Sequence, residues 1–459
     1  MLETSRIISR SRRCVTCRSA RSHSASCLQV IHKPVPSSLT DCDKLDSSLS
    51  SLSYTSDRYN QLHTSYNYCI ISFKEIIFTM SQPIEGRKVL LLGSGFVTKP
   101  TVELLSNAGI EVTVACRTLE SAKKLSQGIK NTKAISLDVN DSAALDAELS
   151  KVDLVVSLIP YTHHATVIKG AIRTKKNVVT TSYVSPAMME LEKEVKEAGI
   201  TVMNEIGLDP GIDHLYAVKT ISEVHDAGGK ITSFLSYCGG LPAPECSNNP
   251  LGYKFSWSSR IPGPSRDDPH TRRYGLPQRR SEGFPRLPHS LERSHQKILG
   301  ATSSSEKDLE WAISSRTKFP TTEEKYRILS GLRWVGIFSD ENIIPRGNPL
   351  DTLCATLESK MQYEDGERDM VMLQHRFEIE HADGSKETRT STLCDYGDPN
   401  GYSSMAKLVG IPCGVAVKQV LDGTISAKGI LAPMSMDICA PLIKTLKEEH
   451  GIEMIEKTV

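Results

Sequence analysis

The chain has 459 residues, a formal net charge of +1 at pH 7, and charged side chains at 24% of its positions. This length suffices for two or three domains, and the balanced charge argues against nucleic acid or a membrane surface as a partner. No apolar run long enough for a membrane span stands out, and the 12 scattered cysteines show no disulfide framework, as expected for a reduced intracellular protein.

The first segment, residues 1–79, is rich in Ser, Arg and Tyr and lacks helical or strand periodicity, which is typical of a disordered leader. Its first 21 residues carry six arginines against the single acid Glu3, as in a mitochondrial transit peptide. Met80 stands shortly before the first predicted strand and favours the alternative that this segment is upstream sequence read as protein. We therefore expect a cytoplasmic protein, or a mitochondrial one if the leader is real.

A glycine-rich turn follows the first predicted strand, Val89–Leu92, and leads into a helix predicted over Thr101–Ala108. The turn Gly93–Gly95 lets the backbone approach a pyrophosphate, and the helix N-terminus favours negative charge. The third glycine position of this fingerprint holds Thr98 instead. The strand–turn–helix order, completed by a second strand at Glu111–Ala115, still indicates a dinucleotide-binding unit.

The end of the second strand indicates which dinucleotide binds. NAD-binding units usually place an acidic residue there for the ribose 2′-hydroxyl, whereas this strand ends at Cys116, Arg117 and Thr118. A cation beside a hydroxyl suits a 2′-phosphate, so the sequence predicts NADP(H). The alternative is that Arg117 is a surface residue that only faces solvent.

Short apolar strands alternate with amphipathic helices from Lys88 to Asn204, which predicts an α/β fold with a doubly wound, Rossmann-type parallel sheet. Ligands of such sheets bind at the carboxyl ends of the strands. We expect His163 and His164, at the start of a helix, to cap it or to face solvent. The predicted strands are Val89–Leu92, Val112–Ala115, Ala134–Leu137, Leu154–Leu158, Val178–Thr180 and Thr201–Met203, and the helices include Leu119–Gly128, Ser142–Leu149, His164–Arg173 and Pro186–Ala198.

Two loop regions rich in Gly and Pro follow, Glu205–His214 and Cys238–Glu245, and loops of this kind often carry functional residues. Asp209, Asp213 and His214 have the chemistry of metal ligands, but no further ligand is apparent and we expect no metal.

The stretch from Ile261 to about Gly300 alternates Arg with Pro and has no apolar periodicity, which is typical of a disordered segment or a basic nucleic-acid arm. The pattern is regular again from about Glu306. Later predicted elements are a strand at Ile231–Tyr237, helices at Thr322–Leu332, Leu350–Met361 and Met405–Leu421, and paired strands at Met370–Glu380 and Lys386–Leu393 around the turn Ala382–Gly384.

Long motifs in this chain resemble fungal saccharopine reductase, the NADP-dependent, L-glutamate-forming saccharopine dehydrogenase family. The resemblance implies an NADP-binding domain over 80–206 joined by 400–459, and a second, α+β substrate and dimerisation domain over 207–399, incomplete here, in a homodimer. The motifs that carry the resemblance are Gly93–Val97, Val114–Leu119, Ser157–Tyr161, Thr181–Tyr183, Asn204–His214, Ser236–Glu245, Leu251–Arg260, Pro345–Asn348, Asp351–Cys354 and Gly401–Met405.

The resemblance also implies a reaction of lysine biosynthesis, in which 2-aminoadipate 6-semialdehyde condenses with L-glutamate and NADPH reduces the imine to saccharopine. Imine formation requires proton transfers, for which Asp209, Tyr183 and Cys238 are the candidates. Alternatively, Asp209 starts a turn, Tyr183 caps a strand and Cys238 is a small buried hydrophobe. The implied substrate contacts are Ser182, Tyr183 and Asp209. The implied NADP(H) contacts are Ser94, Gly95, Phe96, Val97, Cys116, Arg117, Thr118, Asp138, Val139, Ile159, Thr181, Ser182, Leu208, Asp209, Pro210 and Trp257.

The chain departs from the family pattern between Arg260 and about Ser303. It lacks a helix and two motifs of the family, including an arginine that binds a substrate carboxylate. The Arg- and Pro-rich composition is typical of a coding region read out of frame, which suggests a lost segment and a frameshift. The alternatives are a chain that binds NADPH without turnover, and an oxidoreductase of the same fold that acts on a different amino acid.

Overall fold

The computed structural model describes residues 83–257, 296, 299–340 and 349–459, the side chains of 349–352 excepted. Residues 1–79, most of the stretch from Ile261 to about Gly300 and the motif Pro345–Asn348 lie outside the described residues. The first six strands are β1 Lys88–Leu92, β2 Glu111–Cys116, β3 Thr132–Ser136, β4 Leu154–Ser157, β5 Asn177–Val179 and β6 Thr201–Met203. Between them lie α1 Thr98–Asn107, α2 Leu119–Ser126, α3 Ser142–Leu149, α4 His164–Thr174, α5 Pro186–Met189 and α6 Glu192–Ala198.

These elements confirm the predicted strand–helix alternation, with local differences. Helix α1 begins three residues before its predicted start because both the N–H and the hydroxyl of Thr98 donate to the Gly95 carbonyl, at 3.2 and 2.7 Å. The helix predicted over Pro186–Ala198 is two helices. The Leu191 N–H bonds three residues back, to the Met188 carbonyl at 2.8 Å, and this tighter turn separates α5 from α6.

Helices cover both faces of the parallel sheet, so its strands are buried on both sides. Val89 and Leu91 pack into one apolar cluster while Leu90 and Leu92 pack into another, because successive side chains of a strand point to opposite faces. All four are at most 1% exposed. The near-continuous apolar sequence of β1 therefore reflects a central strand.

A second, antiparallel sheet follows. After α7 Ile212–Asp226 come β7 Lys230–Pro242, α8 Glu306–Arg316, α9 Thr322–Val335, α10 Pro349–Lys360, β8 Asp369–Glu380 and β9 Lys386–Tyr396. The chain ends with α11 Ser404–Leu421, β10 Gly429–Leu431, α12 Met436–His450 and β11 Ile455–Thr458. This sheet has the order β11-β9-β8-β7. The turn between β8 and β9 lies where it is predicted, and Gly384 adopts a φ of 83° there.

The C-terminal region returns to the first sheet. Strand β10 pairs in parallel with β6, which gives the seven-stranded order β10-β6-β5-β4-β1-β2-β3. Helix α11 packs on α1, where the Thr101 hydroxyl donates to the Gly410 carbonyl at 2.8 Å. A Cβ atom at Gly410 would lie 2.7 Å from the Val97 carbonyl oxygen, so only glycine permits this approach.

One helix among the described residues, α11, has the length and apolar composition of a membrane span, contrary to the expectation from the sequence. Within the fold, 78% of this helix is buried. Its apolar composition is accounted for by packing against α1 and α12.

Candidate active site

The turn after β1 is shaped for close approach. Gly93 has a φ of 113°, and a Cβ atom there would lie 2.6 Å from the Leu158 carbonyl oxygen at the end of β4. Gly95 faces open space, since nothing lies within 4 Å of its Cβ position. Val97 precedes α1 without a side-chain cap, so the positive end of the helix faces the turn. The pyrophosphate of a dinucleotide fits this cradle.

Two side chains of this turn, Ser94 and Phe96, are accessible to a ligand. Phe96 is 73% exposed, and Ser94 beside it is also accessible. Ile159 lies across the turn, with its Cγ2 atom 3.5 Å from the Cβ position of Gly93. The structure therefore brings these predicted contacts to one strand edge, the carboxyl ends of β1 and β4.

The loop after β2 presents a cation. Arg117 and Thr118 are exposed, and the Ser136 hydroxyl fixes the loop by donating to the Arg117 carbonyl at 2.9 Å. In the described part of the chain, no carboxylate pairs with the Arg117 guanidinium. Asp138 nearby is engaged by Asn140, whose backbone N–H and side-chain amide each donate to Oδ1 at 2.9 Å. Arg117 is thus available to a 2′-phosphate.

The remaining predicted contacts at this end are less exposed. Cys116 is half-buried at the end of β2, and Val139 is 8% exposed beside Asp138. Side chains this buried offer little surface to a ligand, so we expect them to contribute to the shape of the cofactor site more than to the recognition of charge.

A buried histidine lies behind the ends of β4 and β5, contrary to the expectation that it caps α4 or faces solvent. His164 is 1% exposed. Its Nδ1 lies 2.8 Å from Ser157 Oγ, and its Nε2 lies 2.8 Å from Ser182 Oγ. Burial, with His163 nearby, lowers the pKa of His164 to about 4. Burial of this polar ring costs little because the two hydroxyls provide hydrogen-bond partners for both ring nitrogens.

The three predicted proton-transfer candidates meet in space. The Tyr183 hydroxyl donates to Asp209 Oδ1 at 2.7 Å, and Cys238 lies close enough to the same carboxylate to influence its pKa. They come from the loop after β5, the loop after β6, and β7. Partial burial and the negative charge of Asp213 raise the pKa of Asp209. Cys238 keeps solvent access, yet the protein atoms around it and the neighbouring Asp209 raise its pKa, which keeps it a thiol at neutral pH.

A tight loop holds Asp209 toward solvent. The Gly207 N–H donates to the Pro210 carbonyl at 2.9 Å, and the Ile212 N–H donates to the Gly207 carbonyl at 2.9 Å. Leu208 and Pro210 are buried on either side of the exposed Asp209. The half-buried Thr181, in the loop after β5, packs against it with its Cβ 3.3 Å from the Cβ position of Gly207. The narrow loop thus points one carboxylate out of an otherwise buried segment.

A charged network underlies this loop. His214 Nδ1 lies 2.7 Å from Asp213 Oδ1, and its Nε2 lies 3.2 Å from Glu205 Oε2. Burial disfavours the imidazolium, but these two carboxylates outweigh it and raise the pKa of His214 to about 10. Glu205 also accepts the Val184 N–H at 2.9 Å, and Asp213 accepts the Gly211 N–H at 2.6 Å.

The network therefore ties the loop of Tyr183 to the loop of Asp209. Glu205 adopts a φ of 62°, an uncommon conformation for a residue other than glycine. Sequence reasoning considered Asp213 and His214 only as metal ligands and missed Glu205. No group of three His, Cys, Asp or Glu side chains within the described ranges is arranged to hold a metal ion. The adjacent acid and histidine at the start of a helix were the available signal.

Trp257 lies close to strand β7 of the second sheet. Its Nε1 donates to the Tyr253 hydroxyl at 2.9 Å, and its indole is 43% exposed. The ring lies 3.9 Å from the Cβ position of Gly240 on β7. Contact of Trp257 with the cofactor stays a prediction.

Comparison with known proteins identifies the family. Residues 89–203 match the saccharopine dehydrogenase NADP binding domain, and residues 207–262 and 270–452 match the saccharopine dehydrogenase C-terminal domain. The predicted Rossmann-type fold and NADP(H) cofactor are thereby confirmed.

Three relatives agree with these matches. The chain is 58% identical over 446 residues to saccharopine dehydrogenase [NADP(+), L-glutamate-forming] of Pyricularia oryzae, with 81% of this chain and 99% of that protein covered. It is 51% identical over 445 residues to the protein of that name from Saccharomyces cerevisiae, with 82% and 100% covered. A solved structure of saccharopine dehydrogenase (L-Glu forming) from Saccharomyces cerevisiae superposes with a TM-score of 0.69 at 50% identity, covering 82% of this chain and 100% of that one. The chain therefore belongs to the saccharopine dehydrogenase family and carries its NADP-binding domain.

Proposed function

We propose that this chain interconverts saccharopine with L-glutamate and 2-aminoadipate 6-semialdehyde, using NADP(H). The observation that carries the proposal is the cluster of Tyr183 and Asp209, which follow β5 and β6, with Cys238 of β7, in a protein whose strand β1 ends in a dinucleotide cradle. The alignments of this chain with its L-glutamate-forming relatives cover almost the whole length of those proteins.

The space beside the carboxyl ends of the parallel strands is called the cleft below. Its cofactor side supports the choice of NADP(H). The turn Gly93–Val97 and the N-terminus of α1 would hold the pyrophosphate, and Arg117 with Thr118 would hold the 2′-phosphate. Bound NADPH supplies the hydride. The protein's part is to orient the two ligands and to exclude water from the reacting carbon.

The cluster supplies groups that exchange protons. Condensation of an amine with an aldehyde removes protons from nitrogen and releases water, and both changes need a nearby acid or base. Asp209, whose pKa is raised, accepts a proton from the amine more readily than an ordinary surface carboxylate does. Tyr183 donates a hydrogen bond to it. Cys238 beside it stays a thiol and does not act as a nucleophile, because its pKa is raised.

Two further proposals rest on the family resemblance and on the sequence up to Met80. We infer that the protein forms a homodimer through its second domain, which light scattering on the purified chain would test by mass. We also infer a cytoplasmic location, which imaging of the tagged full-length chain would test.

Turnover measurements decide the proposal. NADPH oxidation is followed with L-glutamate and the semialdehyde, and NADP+ reduction is followed with saccharopine. We expect turnover in both directions and a lower KM for NADPH than for NADH. A lower KM for NADH than for NADPH would contradict the role of Arg117. NADPH binding without turnover would favour a non-catalytic NADPH-binding chain.

A further inference from the structure

The buried imidazole of His164 joins two strand ends that border the cleft. Ser157 is the last residue of β4, and Ser182 follows β5, its neighbour in the sheet. The ring spans them with a 2.8 Å contact on each side. Thr180 Oγ1 lies 3.5 Å from the same Nε2 and accepts the Ser182 N–H at 3.3 Å.

A neutral imidazole makes these two contacts unequal. One ring nitrogen carries a proton and donates, while the other accepts, so one serine must receive a hydrogen bond and the other must give one. The lowered pKa of His164 keeps the ring neutral at working pH. The tautomer therefore decides whether the Ser182 hydroxyl proton points to the ring or away from it.

We propose that His164 is a positioning residue that donates its Nε2–H to Ser182 Oγ and so directs the Ser182 hydroxyl proton into the cleft. Ser157 completes the arrangement by donating to Nδ1. The inference rests on the proposed function and on the family resemblance, which implies that Ser182 contacts cofactor and substrate. The group recognised is a carbonyl, carboxylate or phosphate oxygen of the bound ligand, because only an acceptor uses an outward hydroxyl proton.

Two substitutions of similar size separate positioning from packing. The amide of His164→Gln reaches about as far as Nε2 and can still donate to Ser182, whereas the amide of His164→Asn reaches about as far as Nδ1 and meets only Ser157. We expect H164N to weaken NADPH binding and kcat/KM for glutamate by about tenfold, the value of one oriented hydrogen bond, and H164Q to stay within about twofold of the parent.

The measurements are the NADPH dissociation constant from its fluorescence, steady-state kinetics, and thermal unfolding of each variant. Ser182→Ala should match H164N, and the double variant H164N/S182A should lose no more than S182A alone. Equal losses in H164Q and H164N, or parental NADPH affinity in H164N, would overturn the inference.

A third variant covers the case in which neither His164 substitution folds. Ser157→Ala keeps both His164 and Ser182 but removes the donor that fixes the tautomer. Weaker NADPH binding then supports the inference, and unchanged binding rejects it. If the parent chain binds NADPH but does not turn over, the proposed function fails while the affinities of the variants still decide the role of His164. A parent chain that does not bind NADPH overturns both.

Discussion

Two histidines of the cleft show how partners set charge at the scale of a residue. His214 lies between the carboxylates of Asp213 and Glu205, which raise its pKa to about 10. His164 lies between two serines and is buried, which lowers its pKa to about 4. The sequence shows two histidines near helix starts, one of them next to Asp213, but their opposite charge states also depend on Glu205 and Ser182, which only folding brings near.

Removing the His214 cation should change the acid side of the rate profile. In His214→Gln the positive neighbour of Asp209 is lost, while the carboxylates of Asp213 and Glu205 remain. We expect the pKa of Asp209 to rise further, so that the low-pH limb of kcat/KM moves to higher pH and kcat falls about tenfold.

The pH profile of kcat/KM, with His225→Gln as control, checks this expectation. His225 is exposed at the end of α7 and far from these contacts. The groups that bear on Asp209 are Tyr183, Cys238, Asp213, His214 and His375. An unshifted limb in H214Q would show that His214 does not influence the titration of Asp209.

Acid sensitivity should come in part from buried neutral histidines. Burial lowers the pKa of His164 and of His375 to about 4, below the 6.5 of an exposed ring. The unfolded chain binds these protons first as pH falls, so the stabilisation is complete above about 6.5 and is lost between there and about 4. The loss reaches about 2 kcal/mol per histidine at pH 5.

Urea unfolding at pH 7.5 and pH 5 measures this loss. His375 is 0% exposed between Phe234 and Phe377, and neither of its ring nitrogens has a hydrogen-bond partner among the described residues. His375→Phe should therefore reduce the difference in unfolding free energy between the two pH values. An unchanged difference would mean that other groups dominate acid unfolding.

At the scale of elements, the contact between α11 and α1 supports the cofactor turn. A methyl group added at Gly410 would meet the Val97 carbonyl and Pro100, which form the start of α1. Gly410→Ala should push this start outward, weaken NADPH binding at least tenfold and destabilise the fold by about 1–3 kcal/mol.

Gly414→Ala is the matched control for this contact. It lies one turn further along α11 and meets only side-chain atoms of Leu104, the nearest at 3.1 Å, which can shift. NADPH titration and thermal unfolding compare the two variants. Equal effects on NADPH binding would argue against a specific role for Gly410.

This contact also shows where prediction from the sequence ends. The close approach of α11 to the start of α1 depends on Gly410, more than 300 residues after the glycine-rich turn. Strand β1 was predictable because a continuous apolar run precedes the glycine-rich turn, and helix α4 because its apolar residues recur at helical spacing. The pairing of β10 with β6, and the burial of His164, depend on distant partners and leave no local pattern.

The candidate site was predictable to a similar extent. Its cofactor turn and the trio of Tyr183, Asp209 and Cys238 follow from motifs, and the structure brings the trio within hydrogen-bonding reach. The network of Glu205, His214 and Asp213 was missed. Neither the positive φ of Glu205 nor its contact with His214 at the start of α7 follows from the spacing of residues in the sequence.

For the whole molecule, the comparison indicates that a segment is lacking. The alignment with the Pyricularia oryzae protein spans 446 positions while covering only 81% of this 459-residue chain, so that protein has residues with no counterpart here. The family resemblance implies that a carboxylate-binding arginine belongs to such a segment. We expect near-normal NADPH affinity but a KM for glutamate or saccharopine about 100-fold higher than that of the relative.

Kinetics of the two proteins under the same conditions measure this difference. A chimera that receives the corresponding segment of the Pyricularia oryzae protein after Arg260 should recover most of the loss. Equal KM values in the parent chain and the relative would show that the segment is dispensable for substrate binding.

The cluster of Tyr183, Asp209 and Cys238 has a consequence for motion. Asp209 follows a strand of the parallel sheet, whereas Cys238 lies on a strand of the antiparallel sheet. The thiol therefore lies beside the carboxylate only while the two sheets keep this spacing. A displacement of one sheet against the other would separate the members of the cluster without altering any of their side chains.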